Sequence, residues 1–188
     1  MKNPGNSITT QRLFVLKPNV GDYIGVYESY TSDQRVTKFS TWKAHKFKKD
    51  TKAFLKTCIE KWNNGSEFNY KIILKTNKSI IGMAKLSFPE KNQVNIGYVI
   101  QFEQWNKGFA TEILQGMISY SFEQLEAEKV NCTCDIENKA SERVMQKAGM
   151  KFQKVLPNYV IHPNISSKPR NALKYSISRN QYLDKVKT

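Results

Sequence analysis

A short segment in the middle of the chain carries residue types that suit phosphate. It runs from Trp105 to Glu112 and reads WNKGFATE. Gly108 and Ala110 keep side chains away from an approaching anion, while Lys107 adds a positive charge. Backbone N–H groups at the start of a helix bind phosphate. The sequence has neither the GxxxxGK(S/T) pattern of a P-loop nor the GxGxxG pattern of a dinucleotide fold. On these residues alone, a helix that only caps its own N-terminus is the alternative.

The elements around this segment predict a strand before it and a helix after it. Apolar and polar residues alternate over Val94–Ile100, which is the period of a strand, and residues 101–107 are typical of a turn. From Ala110 onward, apolar residues recur with the spacing of one helix face, at Ile113, Leu114, Met117, Ile118, Phe122 and Leu125. This order directs several N–H groups and the positive end of the helix dipole at one point, where phosphate is the natural ligand.

Two ordered blocks extend the pattern and carry a family resemblance. The first joins Gly97 and Tyr98 to the segment WNKGFATE, and the second, Glu137–Phe152, resembles N-x-x-S-x-x-x-x-x-K-x-G-F. A weaker third agreement is Thr10–Pro18, which is similar to T-E-R-L-x-L-R-P. Together they resemble the GNAT superfamily of N-acetyltransferases. Within it they are similar to the RimJ/RimL branch, which acetylates the N-termini of ribosomal proteins.

The order of predicted elements and this resemblance agree on the fold. Antiparallel strands come first and strand–helix–strand units follow, which favours an α+β fold, a mixed α/β layer. The resemblance sharpens this to a GNAT-like central mixed, largely antiparallel sheet, splayed at the cofactor, with helices on both faces. We expect a single N-acetyltransferase domain over residues 1–188, in which residues 1–8 are disordered and residues 157–171 form a mobile loop.

The resemblance also implies acetyl-CoA as co-substrate and a set of residues that bind it. Asn138 would hydrogen-bond the pantetheine arm, and Arg143, or Lys147 in its place, would reach the ribose 3′-phosphate. The pantetheine arm would pair with a strand made of Tyr98, Val99 and Ile100. The pyrophosphate would be held by the backbone amides of Asn106, Lys107, Gly108, Phe109, Ala110 and Thr111.

Ser141 is the catalytic residue that the resemblance implies. The branch places a hydroxyl near the CoA sulfur, so we expect Ser141 to donate a proton to the leaving thiolate. Asn138 and Ser141 also fit a plain role in helix capping. The branch often carries an acid just before its Gly-Tyr pair, but Asn95 and Ile96 stand there. A carboxylate base on this strand is therefore missing, and the sequence identifies no other base.

Cysteine and histidine offer further chemistries, which the sequence does not support. Cys132 and Cys134 are two apart on a predicted strand, so both point to one face, and no nearby histidine or lysine would activate a thiol. We expect them to pack rather than to carry an acyl group. His45 and His162 are far apart in the chain, so no metal site is expected.

Thirty lysines and arginines stand against sixteen acidic residues, which gives a formal net charge of +14. This charge is either a solvated basic surface or an attraction for a polyanion, such as a phosphate-rich cofactor or RNA. The basic clusters Lys43–Lys52 and Lys168–Arg170 are not interleaved with stacking aromatics as in a nucleic-acid module. Contact with RNA or ribosomes is left open, with no motif to support it.

The sequence also gives an expectation for the compartment. No apolar run approaches the ~20 residues of a membrane span, and the start MKNPGNSITT lacks the apolar centre of a signal peptide. Three cysteines without framework spacing fit a reducing compartment. We therefore expect a cytoplasmic protein with no membrane contact.

These observations predict an acetyl-CoA-dependent N-acetyltransferase. It would move an acetyl group to a primary amine, either a protein N-terminus or a small amine. The alternative is a catalytically silent module of the same fold that contacts RNA or ribosomes, which the missing carboxylate and the net charge motivate. Acceptor recognition would come from Thr31–Lys49 and Leu156–Asn171, and neither segment carries a recognisable motif.

Overall fold

The computed structural model describes residues 3–186, and its framework is one sheet of eight strands. The strands are β1 (Ser7–Thr9), β2 (Leu13–Leu16), β3 (Phe68–Leu74), β4 (Ile80–Ser87), β5 (Gln93–Ile100), β6 (Lys129–Asp135), β7 (Lys151–Val160) and β8 (Arg170–Ser178). Their order across the sheet is β1-β2-β3-β4-β5-β6-β8-β7. Neighbouring strands are antiparallel except β5 and β6, which are parallel.

The helices occupy the connections between strands. They are α1 (Tyr23–Val26), α2 (Gln34–Thr37), α3 (Lys48–Asn63), α4 (Phe109–Glu123), α5 (Lys139–Lys147) and α6 (Arg179–Val186). A π-helical turn, Tyr27–Thr31, continues α1, and a 3₁₀ turn, Phe102–Gln104, follows β5. Over residues 3–186 no helix has the length and apolar character needed to cross a membrane.

The alternation of strand side chains produces a core on each face of the sheet. In β4, Ala84 and Leu86 belong to the larger core, which also contains the buried stripe of α4. Met83, the residue before Ala84, faces a smaller core that holds Val26 of α1 and Leu55 of α3. Each large apolar side chain buried in this way stabilises the fold by roughly 1.5–3 kcal/mol. The helices therefore cover both faces, as predicted.

The sheet opens where its single parallel pair begins. Residues 93–95 of β5 pair with residues 129–131 of β6, and the ladder then stops. Beyond it, residues 96–100 of β5 pair with β4 on one edge only, while residues 132–135 of β6 pair with β8. The space between these two diverging ends is called the β5–β6 gap below. The predicted mixed, largely antiparallel and splayed sheet is confirmed.

Two predictions about irregular segments are wrong in part. Ser7 and Ile8, expected within a disordered lead, lie in β1, because Ile8 is buried and its strand pairs with β2. Met1 and Lys2 lie outside the described residues. The expected loop at 157–171 is shorter at both ends, since β7 continues to Val160, which pairs with Arg170 of β8. A proline at 157 is compatible with β7 because edge strands tolerate the missing N–H.

Candidate functional site

The loop between β5 and α4 is held in an unusual backbone conformation. Asn106 has φ of 60° and Gly108 has φ of 81°, so two left-handed residues flank Lys107. Glycine takes this conformation without a steric cost, and asparagine is among the few other residues that visit it. The indole N–H of Trp105 donates to the carbonyl of Ile100 at 2.7 Å and ties the loop to the end of β5. Residues 105–108 are exposed.

Helix α4 begins without a side-chain cap. Its first intrahelical bond in the ladder runs from the N–H of Glu112 to the carbonyl of Gly108, at 3.0 Å. The N–H groups of Phe109, Ala110 and Thr111 thus precede the ladder, as the first turn of a helix requires. Within residues 3–186 no side chain accepts a hydrogen bond from them, and Gly108 has none to offer. The alternative of a self-capped helix is therefore not what the structure contains.

The N-terminal block braces this loop and helix. Thr10 donates to Glu112 at 2.6 Å, and Arg12 reaches Glu112 with both its backbone N–H and its side-chain Nε. Arg12 also donates to the carbonyl of Lys107 and lies 4.3 Å from the ring centroid of Phe109. Burial would raise the pKa of Glu112, but the hydrogen bonds from Thr10 and Arg12 outweigh it and lower this pKa. The sequence identified this block only as a family resemblance and missed its bracing role.

One backbone edge of β5 faces the β5–β6 gap. The N–H of Gln101, next after β5, donates to the carbonyl of Ile81 in β4. The carbonyl of Val99 also faces β4, since a Cβ added to Gly82 would lie 2.0 Å from its oxygen. Peptide groups alternate along a strand, so those of Tyr98 and Ile100 face the gap. Of the three predicted strand residues, Val99 alone turns its peptide groups toward β4, and its side chain packs against the smaller core.

Across the gap, α5 brings Ser141 to Tyr98. Their hydroxyl oxygens are 2.9 Å apart, and the Tyr98 hydroxyl also lies 3.4 Å from the Ser141 carbonyl. Burial, with a smaller contribution from the Cys132 thiol, raises the pKa of Tyr98, although the hydrogen bond to Ser141 opposes this. Tyr98 is therefore a neutral phenol at physiological pH and can donate a proton in a hydrogen bond.

Asn138 is the N-terminal cap of α5. Its side-chain oxygen accepts the Ser141 N–H at 3.1 Å, which confirms the capping interpretation for this atom. The amide nitrogen of Asn138 has no hydrogen-bond partner among residues 3–186 and can still donate to a ligand. Arg143 and Lys147 are exposed on α5, and no described contact draws their charged ends to the loop.

The thiols near the gap are poor nucleophiles. Burial raises the pKa of both Cys132 and Cys134 to about 12, and both side chains pack in the larger core. In the described part of the chain, no three histidine, cysteine, aspartate or glutamate side chains gather in a way that could hold a metal ion.

A cleft of about 630 Å³ lies where the two predicted acceptor segments meet. Its lining includes His45 from the segment Thr31–Lys49, Asn164 from the segment Leu156–Asn171, and Tyr27, which precedes the first segment. The Asn164 side chain donates to the carbonyls of Thr37 and Trp42, both at 2.8 Å, and accepts from the N–H of Ala44. Since these bonds are internal, the walls of the cleft are preformed.

His45 is a lining residue that sequence reasoning did not assign to a site. Its Nδ1 lies 2.8 Å from the Thr51 hydroxyl, which is in turn 2.8 Å from that of Thr31. Burial lowers the pKa of His45, although the charge of Asp50 opposes this, so the ring is neutral at pH 7. No sequence spacing signals this arrangement, because the contacts depend on how the loop folds back.

Comparisons with known proteins agree with this architecture. The sequence model of the family described as "Acetyltransferase (GNAT) domain" matches residues 12–151. The uncharacterised N-acetyltransferase YnaD of Bacillus subtilis (strain 168) is 33% identical over 155 residues, which cover 80% of this chain and 88% of that protein.

Two solved structures illustrate the likeness in fold. An acetyltransferase of the GNAT family from Bacillus anthracis is 26% identical, with a TM-score of 0.80 over 93% of this chain and 99% of that one. Mycobacterium smegmatis RimJ, solved in complex with CoA-disulfide, is 15% identical, with a TM-score of 0.81 over 93% of this chain and 88% of that one. At that identity RimJ supports the fold alone.

Proposed function

This chain belongs to the GNAT family of acetyltransferases, and we propose that the amine it acetylates is the N-terminus of a protein, with acetyl-CoA as donor. Its relatives are named as N-acetyltransferases, which favours a catalytic protein over the silent module considered from the sequence. The resemblance of the segment WNKGFATE to the RimJ/RimL branch, which acetylates the N-termini of ribosomal proteins, is what favours the N-terminal acceptor. The use of acetyl-CoA as donor rests above all on one observation, the uncapped first turn of α4 beside the free edge of β5.

The residues present fit the two ends of acetyl-CoA. A pyrophosphate accepts hydrogen bonds, and the amides of Phe109, Ala110 and Thr111 are donors at the positive end of a helix. The exposed residues Asn106, Lys107 and Gly108 come directly before these amides, and Lys107 adds a positive charge. The pantetheine arm carries amide groups, which match the peptide groups of Tyr98, the N–H of Ile100 and the side-chain nitrogen of Asn138. Arg143 is our candidate for the ribose 3′-phosphate.

Acetyl-CoA, when bound, supplies an activated acetyl group as a thioester. The protein contributes chiefly positioning and a proton. Ser141 would hold that proton at Oγ for the leaving sulfur, and Tyr98, at 2.9 Å, can orient this hydroxyl by a hydrogen bond. The proton that Ser141 gives up is balanced by the proton that the amine loses when it is acetylated. Because its pKa is raised, Tyr98 stays a neutral phenol and keeps this hydrogen bond.

The acceptor amine must be neutral when it reacts. No carboxylate stands on β5 at the gap, where Asn95 and Tyr98 are found. The neutral ring of His45, in the cleft between the two acceptor segments, can accept a proton. We take His45 as the candidate base that the sequence left unidentified.

The acceptor is tested by measuring thiol release from acetyl-CoA with matched peptides. One peptide has a free N-terminus and no lysine, a second is the same peptide with its N-terminus blocked, and a third is blocked but contains lysine. We expect release with the first peptide only. Release with the blocked lysine peptide alone would contradict an N-terminal acceptor. If His45 is the base, His45→Gln should lower the rate most above the pKa of His45, where its ring is neutral, and this deficit should shrink as the pH falls through that pKa.

A further inference from the structure

The cleft between the acceptor segments has a concentrated positive charge. Lys38, Lys43 and Lys46 all line it, and no aspartate or glutamate does. Their backbones are fixed by the bonds of Asn164 on one side and by the Tyr27 hydroxyl, which donates to the Lys46 carbonyl at 3.0 Å, on the other. The three side chains are exposed, and the ammonium group of Lys38 also lies 5.2 Å from the centroid of the Phe39 ring. Such an exposed contact is weak, so the three ammonium groups are available to a ligand.

The acidic groups on neighbouring elements are already engaged elsewhere. Asp33 is held by the guanidinium of Arg35, with contacts of 2.5–3.1 Å, and Glu28 pairs with Lys48 at 2.8 Å. Asp50 accepts the backbone N–H of Phe47 at the start of α3. Within residues 3–186, no carboxylate forms an ion pair with any of the three cleft lysines.

The elements that form the cleft contact β5 and the turn that follows it, although no residue of the proposed phosphate loop lines the cleft. Arg35 of α2, next to the lining residue Gln34, pairs with Glu103 in the turn after β5 at 3.0 Å. Trp42, next to Lys43, packs against the same core as Val99 of β5. None of the residues at 98–111 or 138–143 lines the cleft, so its charge is not explained by the phosphates of CoA.

We propose that this cleft receives the acceptor and selects one that carries anionic groups close to its amine, through Lys38, Lys43 and Lys46. This inference rests on the proposed acetyltransfer and names its substrate class. The shared chemistry is an amine with carboxylate or phosphate groups nearby. A protein whose N-terminal residue is followed by acidic residues is the source that agrees with the proposed N-terminal acceptor.

The expected selectivity is moderate and depends on salt. An exposed ion pair changes affinity by about two- to fivefold, so two or more pairs give an acidic acceptor an advantage of about tenfold. Because the lysines are exposed, ionic screening shortens their reach from about 10 Å at 0.1 M salt to about 3 Å at 1 M. The advantage should shrink accordingly.

The experiment measures kcat/KM by thiol release for peptides that share a free N-terminal serine. Their second and third residues are both glutamate, both glutamine or both lysine. A second arm compares phosphoethanolamine and glutamic acid with ethanolamine, which separates small anionic amines from peptides. The test variant combines Lys38→Gln, Lys43→Gln and Lys46→Gln. The control removes the same charge from exposed lysines that do not line the cleft, with Lys56→Gln, Lys91→Gln and Lys154→Gln.

We expect the acidic acceptor to be favoured about tenfold at low salt, and this preference to fall to about one in the test variant while the control keeps it. The arm in which the preference appears identifies its source. Equal rates for acidic and neutral acceptors, or a preference that survives in the test variant, would overturn this inference and leave acetyltransfer standing. If no acceptor of either arm releases thiol, not even the neutral peptide, the proposed function itself fails and the inference fails with it.

Discussion

Two hydroxyl groups that meet across the β5–β6 gap define the chemistry at the scale of single residues. Tyr98 belongs to the sheet and Ser141 to α5, and only the divergence of β5 from β6 allows them to approach within 2.9 Å. Their contact links a neutral phenol to a serine that the amide of Asn138 keeps at the helix start. The pair can therefore act as one proton-donating unit.

If Tyr98 and Ser141 act as a unit, the fold losses in kcat caused by substituting each of them should not multiply in the double variant. We expect Ser141→Ala to lower kcat by about 10²-fold, the lower range for loss of an acid catalyst, and Tyr98→Phe to lower it by a similar or smaller factor. The double variant should resemble the more damaged single variant. Thiol release at saturating acetyl-CoA provides the measurement.

Thr133→Ala serves as the control for this pair, because it removes an exposed hydroxyl from β6. It should leave kcat near the value of the unmodified protein. Independent, multiplying losses in the double variant would show that Tyr98 and Ser141 do not share a proton. An unchanged kcat in Ser141→Ala would limit Ser141 to a role in folding.

At the scale of elements, the start of α4 depends on a strand that is distant in sequence. Thr10 and Arg12 precede β2, yet their hydrogen bonds converge on Glu112 in the first turn of α4. Arg12 also donates to the carbonyl of Lys107, so the ion pair with Glu112 holds the loop and the start of α4 together. A change at Glu112 should therefore affect stability in a pH-dependent way.

We expect Glu112→Gln to lower the free energy of unfolding at pH 7 by about 1–3 kcal/mol, because it weakens charged hydrogen bonds. The folded pKa of Glu112 lies below its ordinary value of about 4.3. Its contribution is thus present above the unfolded pKa and is lost as pH falls through the folded pKa. Urea unfolding at pH 7, 5 and 3.5 should show the deficit of the variant shrinking toward acid pH.

Glu60→Gln provides the comparison, since Glu60 is exposed on α3 and its carboxylate has no partner in the described part of the chain. Its stability should stay within about 0.5 kcal/mol of the unmodified protein. A deficit in Glu112→Gln that did not vary with pH would show that the lost interaction is not that of an ionised carboxylate.

Strands and helices with regular spacing could be predicted from the sequence, whereas contacts that depend on tertiary packing could not. The alternation at Val94–Ile100 placed β5 within one residue of its observed bounds. The extension of β7 past Pro157 escaped prediction, because only pairing with β8 makes an edge strand of that segment. His45 escaped as well, since its partner Thr51 is brought near by the loop before α3.

At the scale of the whole molecule, the net charge of +14 comes from cations that differ in whether an acidic side chain pairs with them. Many cations are matched locally, as in the pairs of Arg12 with Glu112 and Arg170 with Asp135. The cleft lysines are not, and the loop at 106–111 presents amides rather than carboxylates. We propose that the unmatched lysines of the cleft act on an anionic acceptor, while the amides of the loop suit the phosphates of acetyl-CoA.

The central claim is that the first turn of α4 and its loop hold the pyrophosphate of acetyl-CoA, and calorimetric titration tests it most directly. Acetyl-CoA is titrated into the unmodified protein, into Thr111→Asp and into Thr111→Asn. Aspartate in a first helical turn favours the helix, so the unliganded fold is kept, while its charge would oppose the phosphates. Charges about 4 Å apart near a protein surface interact by up to about 4 kcal/mol.

We predict micromolar binding to the unmodified protein and to Thr111→Asn, and binding to Thr111→Asp that is weaker by at least about tenfold, equivalent to about 1.4 kcal/mol. Equal affinity of the aspartate and asparagine variants would place the phosphates elsewhere and contradict the account. Absence of binding to the unmodified protein would show that this chain does not bind acetyl-CoA at all.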